Sequence, residues 1–203
     1  MDHPADAETT FSSSSDRPDA PPSSLFQLAL GPEFDLLPDA VRSLHMVHDG
    51  HTWAGRAKVT RGNSVFGKLL CWLIGFPPES DDTPLVVMIE RRDDKEFWTR
   101  RFGHNEFKSV LSLKDSDCTG RIRERFGVMR FDINLQRKRD QLHFPVVRGT
   151  FLGVSLPTWL LPLSEATETS QNGEFHFDIK ISLPGVGMLV RYQGSLTPAR
   201  AGN

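Results

Sequence analysis

Cysteine is scarce in this chain: 203 residues contain only Cys71 and Cys118. Two cysteines without C-x-x-C or Cys/His spacing build neither a disulfide framework nor a zinc site, and both read as reduced. An excess of charge is also missing, since 24 Lys+Arg stand against 26 Asp+Glu. A net charge of −2 supplies no basic field for nucleic acid or an acidic membrane. The longest apolar run, residues 69–74, falls far short of the roughly 18–20 residues of a membrane-spanning helix. No basic start followed by an apolar stretch marks a secretory signal, so a cytoplasmic address is expected.

Signature motifs are absent too. There is no G-x-S-x-G, no P-loop and no H-E-x-x-H, and Gly185-Val186-Gly187 lacks the third glycine and following helix of a dinucleotide site. Glu90, Glu124, Glu174 and Asp178 are scattered over strands, without the pairing of an acid/base couple. His45, His48 and His51 recur every third residue beside Asp49, but Gly50 ends the helix there. They read as histidines at a helix C-terminus, where the dipole favours cations, and not as a metal site. Arg121, Arg123, Arg125 and the 137–139 run are interleaved with acids, which argues against nucleic acid. No cofactor is expected.

What is present is a β-rich pattern. Residues 1–24 hold four Pro, six Ser and five acids against one Arg, a composition that cannot bury enough apolar area to order itself. A disordered acidic tail is expected there, followed by one domain over 25–203. Two short helices open it, around residues 25–30 and 41–49. Trp53, Gly55, Ala57 and Val59 then alternate with Arg56, Lys58 and Thr60, the period of a strand. Residues 64–76 are apolar all round, closed by Pro77-Pro78, and predict a helix.

From there the chain reads as antiparallel strands at 84–92, 96–102, 106–113, 120–126, 128–136, 140–151, 173–183 and 187–196, with a long excursion before the last two. With 52–60 these make about nine, and predict a β-barrel or half-barrel. Met129, Phe131, Ile133 and Leu135 face one side, as do Phe175, Phe177, Ile179 and Ile181. One sheet face is therefore apolar, and a barrel of that size is wide enough to enclose a ligand. A helical insertion after the first strand resembles small intracellular lipid-binding barrels, calycin-like in general form, at the level of fold alone.

Two charges interrupt the apolar rows. Arg100 lies in register with Trp98 and Phe102, and Glu124 with Ile122 and Phe126. Such charges must be paired or aimed at a ligand's polar end. One reading is an Arg100 anchor for a carboxylate or phosphate, oriented by Glu124; the other is a structural ion pair. Leu69, Trp72, Leu73 and Phe76 read as a lid over a cavity, as a membrane-surface contact, or as core. Leu156, Trp159, Leu160 and Leu161 form a second apolar loop.

Several stretches resemble a bacterial family of unknown function, DUF4166: Leu30-Gly31-Pro32-Glu33-Phe34, Val41-Arg42-Ser43-Leu44-His45, Trp98-Thr99-Arg100-Arg101-Phe102-Gly103, Glu124-Arg125-Phe126-Gly127, and 183–194. No activity is assigned to that family. The resemblance implies an accessory role beside redox or lipid metabolism, acting alone or with a separately encoded dinucleotide-binding partner, and raises Arg100, Glu124, Arg191 and Tyr192 above other polar residues. The expected function is non-catalytic binding of a small amphipathic or lipid-like ligand. Arg100 and Tyr192 would hold its polar end with Glu124 orienting Arg100, Phe131, Phe177 and Ile179 would line its apolar end, and Arg191 and Trp98 complete the expected ligand-binding set. The alternatives are an enzyme or accessory domain with Glu124 as general base, and a protein-interaction module using Trp159.

Overall fold

The computed structural model describes residues 23–114 and 120–199. The expected acidic tail and Cys118 lie outside them, apart from Ser23 and Ser24 at the tail's end.

Two helices come first. α1 (Leu25–Leu30) is started by a capping box, in which the Ser24 side chain accepts from the Gln27 amide and the Gln27 side chain answers the Ser24 amide. Gly31-Pro32 turns the chain into a 3-10 turn (Gly31–Phe34). α2 (Asp39–His45) follows Pro38. Phe26, Val41 and Leu44 are fully buried, so both helices are held by tertiary packing rather than by their few hydrogen bonds.

β1 (Gly50–Arg61) leads into α3 (Val65–Ile74), capped by Ser64 and closed by Gly75 at φ +80°. Then come β2 (Ser80–Arg92), β3 (Lys95–Phe102), β4 (Asn105–Leu113), β5 (Arg121–Phe126) and β6 (Met129–Asn134), a meander of antiparallel hairpins. β7 (Gln136–Lys138), β8 (Gln141–His143), β9 (Val146–Phe151), β10 (Val154–Ser155), a 3-10 turn (Thr158–Leu160), β11 (Leu163–Gln171), β12 (Glu174–Leu183) and β13 (Gly187–Pro198) complete the order.

All thirteen strands join one antiparallel sheet in the order β10-β9-β6-β5-β4-β3-β2-β1-β13-β12-β11-β8-β7. The mostly β expectation holds, but the count of about nine does not. Leu135 breaks the expected 128–136 strand and Phe144-Pro145 the expected 140–151 strand, while the excursion contributes β10 and β11. Nor is the ladder closed, because its end strands β10 and β7 do not pair with each other.

The sheet is strongly curled even so. Tyr192 on β13 brings its ring within 6.4 Å of Phe107 on β4, with three strands between them in the ladder. The chain passes from β6 to β7, near opposite ends of the ladder, across Leu135 alone. It returns over Phe144-Pro145, where the Phe144 amide donates to the Ala166 carbonyl and the Asn134 amide to the Pro145 carbonyl. The two halves of the sheet thus face each other across a seam stitched by chain crossings.

Curling requires close backbone approach between β1 and β13. A Cβ at Gly55 would stand 2.0 Å from the Ser195 carbonyl oxygen, and one at Gly194 2.1 Å from that of Arg56. Only glycine fits there. Inside the curl, Trp53, Ile89, Phe102, Phe175, Val190 and Leu196 pack against the helices as one apolar core. Among the described residues no helix is long and apolar enough to cross a membrane.

Candidate functional site

The concave face is not filled. A cavity of about 350 Å³ remains, within the roughly 300–1,000 Å³ of small-molecule sites. Its apolar wall comes from inward positions of β5, β6 and β12, where Ile122, Phe126, Phe131, Ile133, Ile179 and Ile181 follow the period of two. α3 contributes Phe66, Leu70 and Ile74, and Leu156, Leu160 and Pro162 line it from the opposite segment.

Polar groups gather at particular points of this wall. Arg100 on β3 does face inward, as its register with Trp98 and Phe102 predicts. Its Nη1 donates to Ser109 Oγ at 2.8 Å and its Nη2 lies 3.4 Å from Glu124 Oε1, both side chains being largely buried. The guanidinium also stands over the Trp98 ring, 4.8 Å from its centroid, which suits its planar delocalised charge.

Tyr192 lines the cavity from β13. Among the described residues its hydroxyl makes no hydrogen bond, and burial, reinforced by Glu124 and Glu168 and opposed by Arg100, pushes the phenol up to about 12. It is a permanent O–H at neutral pH. That hydroxyl is available to a ligand oxygen.

A second polar pair was not foreseen. His45 is 1% exposed and Glu168, on β11, 7%; His45 Nε2 is 2.6 Å from Glu168 Oε2, and both residues line the cavity. The His45 ring stacks on Phe26 with centroids 3.7 Å apart. Its Nδ1 has no partner among the described residues, so Nε2 is the nitrogen that donates, to Glu168. Behind this pair Glu96 is fully buried, accepting from the Trp98 indole at 3.0 Å. Burial pushes the Glu96 carboxyl up, against the pull of that indole and of His45.

His45 stands at a helix C-terminus as expected, but it is buried and paired rather than a surface histidine. α2 ends at His45 itself, with the ring turned into the core, while His51 Nε2 donates to the Leu44 carbonyl at 2.8 Å. No group of three metal-ligating side chains occurs among the described residues.

Of the other residues expected at the site, Trp98, Phe131 and Ile179 line the cavity and Phe177 does not, being packed in the core beside Phe175 and Tyr192. Arg191 is on the other face: it alternates with Tyr192 and is exposed, donating to both Asp178 oxygens at 2.8 and 2.5 Å. On α3 the expected lid residues divide. Phe76 lines the cavity, but Leu69, Trp72 and Leu73 point to solvent, Trp72 at 75% exposure. Phe66, Leu70 and Ile74 take the inward places instead.

The mouth is marked by residues that both line the cavity and reach solvent: Phe66, Phe151 and Leu160. Around it stand exposed Val65, Leu69, Trp72 and Leu73 on α3, and Leu152, Val154, Trp159 and Leu163 opposite. This apolar rim is unusual for surface residues in such density.

Fold and site together define an open, curled antiparallel sheet around an apolar cavity with a few buried polar side chains. Residues 37–196 match the family described as domain of unknown function DUF4166, and the chain belongs to that family. No curated protein matches it.

Proposed function

We propose that the cavity binds a small amphipathic molecule whose polar end is an uncharged oxygen function, a carbonyl or hydroxyl. The observation that carries this reading is the placement of two hydrogen-bond donors, the Tyr192 hydroxyl and the Arg100 guanidinium, on the wall of an otherwise apolar cavity of about 350 Å³. Formal charge then decides the head group. Arg100 is already matched by Glu124, and a second carboxylate, Glu168, lines the same cavity beside His45. A carboxylate or phosphate entering there would meet net repulsion in a low-dielectric site, whereas a neutral oxygen accepts from Tyr192 and Arg100 without that cost.

Native mass spectrometry of the full chain, purified without detergent, tests this directly. A stoichiometric copurifying amphiphile is expected, together with tighter binding of a fatty alcohol or methyl ketone than of the fatty acid of equal length. An empty protein that binds none of them overturns the reading. The exposed rim favours a second reading, a protein-interaction surface. Concentration-dependent association that weakens in Trp159→Ala and Trp72→Asp is its signature, and a strictly monomeric protein across the micromolar range excludes it.

A further inference from the structure

Glu168 is a carboxylate of the cavity wall with one oxygen engaged and the other unengaged. His45 Nε2 holds Oε2 at 2.6 Å, and among the described residues Oε1 makes no hydrogen bond. The same cavity is lined by Tyr192, whose hydroxyl makes no hydrogen bond among the described residues, and by Arg100. Glu124, the other cavity carboxylate, is tied to Arg100. A fixed carboxylate base in an apolar enclosure, with two donors for a developing oxyanion lining the same cavity, is the equipment for moving a proton next to a carbonyl.

We propose that Glu168 is a general base that removes a proton from the carbon adjacent to the carbonyl of a bound neutral ketone, with Tyr192 and Arg100 stabilising the enolate oxygen. This rests on the binding reading above. The C–H bond breaks and an O–H bond forms on Glu168 Oε1. The C–H electron pair becomes the C=C bond of the enolate, and the carbonyl π pair moves onto oxygen, where it accepts from the Tyr192 hydroxyl and Arg100. The proton then returns to the same carbon, or to the γ carbon of a β,γ-unsaturated ketone to give the conjugated isomer. No oxidant, metal or co-reactant enters the balance.

Burial keeps the Tyr192 phenol protonated at neutral pH, so it acts as a donor throughout. The bland explanation of the same residues is a buried polar pair that fixes α2 against β11. The two explanations differ in one observable, the exchange of carbon-bound protons.

The experiment incubates the full chain with 2-nonanone in D2O and follows the protons flanking the carbonyl by NMR, with saturation transfer from protein to ketone recorded in the same tube. Binding with accelerated loss of those protons is expected. Glu168→Gln, which preserves shape and an oxygen for His45, should slow the exchange about 100-fold, and Tyr192→Phe by a comparable factor. The outer-face control Glu165→Gln should leave it unchanged. Saturation transfer without exchange above buffer, or exchange undiminished in Glu168→Gln of unchanged melting temperature, overturns the proton-transfer proposal and leaves binding intact. Absence of saturation transfer overturns both. Should Glu168→Gln fail to fold, Tyr192→Phe decides, because its lost hydroxyl has no partner among the described residues.

Discussion

Arg100 shows how much one side chain can reveal before any coordinates exist. A charge in register with Trp98 and Phe102 had to be paired or functional, and it is paired with Glu124 while lining the cavity. Arg100→Leu strands the Glu124 carboxylate in a largely buried place and should destabilise by about 3–5 kcal/mol, measured by chemical denaturation. The double variant Arg100→Leu, Glu124→Leu should recover most of that loss. Glu96 answers to the same period-two argument, lying in register with Trp98 and Arg100, but at the start of its strand next to the polar Asp93-Asp94 turn its burial is not legible from the sequence. Its carboxyl is pushed up by burial, so the folded state holds its proton more tightly than the unfolded one. Its contribution to stability is complete below the unfolded value near 4.5 and is lost as pH rises through the higher folded value. Glu96→Gln should therefore raise stability at pH 7 relative to pH 4, seen as a melting temperature that depends less on pH.

Tyr192 offers a cleaner titration, because the chain contains one tyrosine. Absorbance at 295 nm reports its phenol alone, and ionisation is expected near 12 in the folded protein. The phenol is raised from 10.0 to about 12, so its stabilisation is full below pH 10 and declines between pH 10 and 12, by on the order of 3 kcal/mol. Ionisation near 10 without unfolding would show the hydroxyl to be solvated.

At the scale of elements, the sequence is legible wherever hydrophobicity alternates or caps are explicit. α3 lies between Ser64 and the Gly75 turn, close to where its apolar run and Pro77-Pro78 put it. Its facing is less legible, because a run apolar on all sides does not say which residues point inward; Gly67 and Cys71, the small ones, are buried against β13 while Trp72 and Leu73 are not. β11 was invisible for a physical reason. Its inward positions are Ser164, Ala166 and Glu168, so it carries no apolar alternation. The residue that hides this strand from sequence reading is the one that equips the cavity. Gly55 tests the curl: Gly55→Ala drives a methyl group into the Ser195 carbonyl and should cost about 1–3 kcal/mol or more, read from the denaturation midpoint. On α3, Leu73→Asp should shift that midpoint little, since the side chain is 64% exposed.

For the whole molecule, the mostly β class and the concave apolar face follow from composition and periodicity, but strand order does not. Hairpin turns specify neighbours within each half, the β2–β6 meander and the β11–β13 meander, because turn residues act locally. The seam and the β1–β13 pairing join residues far apart in sequence, and nothing local encodes which of two edges they meet.

That central pairing has a consequence in time. β1 and β13 bind along Trp53↔Pro198 to Arg61↔Val190, so the first strand of this sheet to be synthesised waits for the last strand of the sheet before the two halves can join. Until Pro198 has been made and has cleared the exit tunnel, β1 offers an unmated edge, a hazard for association between nascent chains. Shortening the chain before Gly187 makes that interval permanent, and such a product should be recovered from cells as insoluble material.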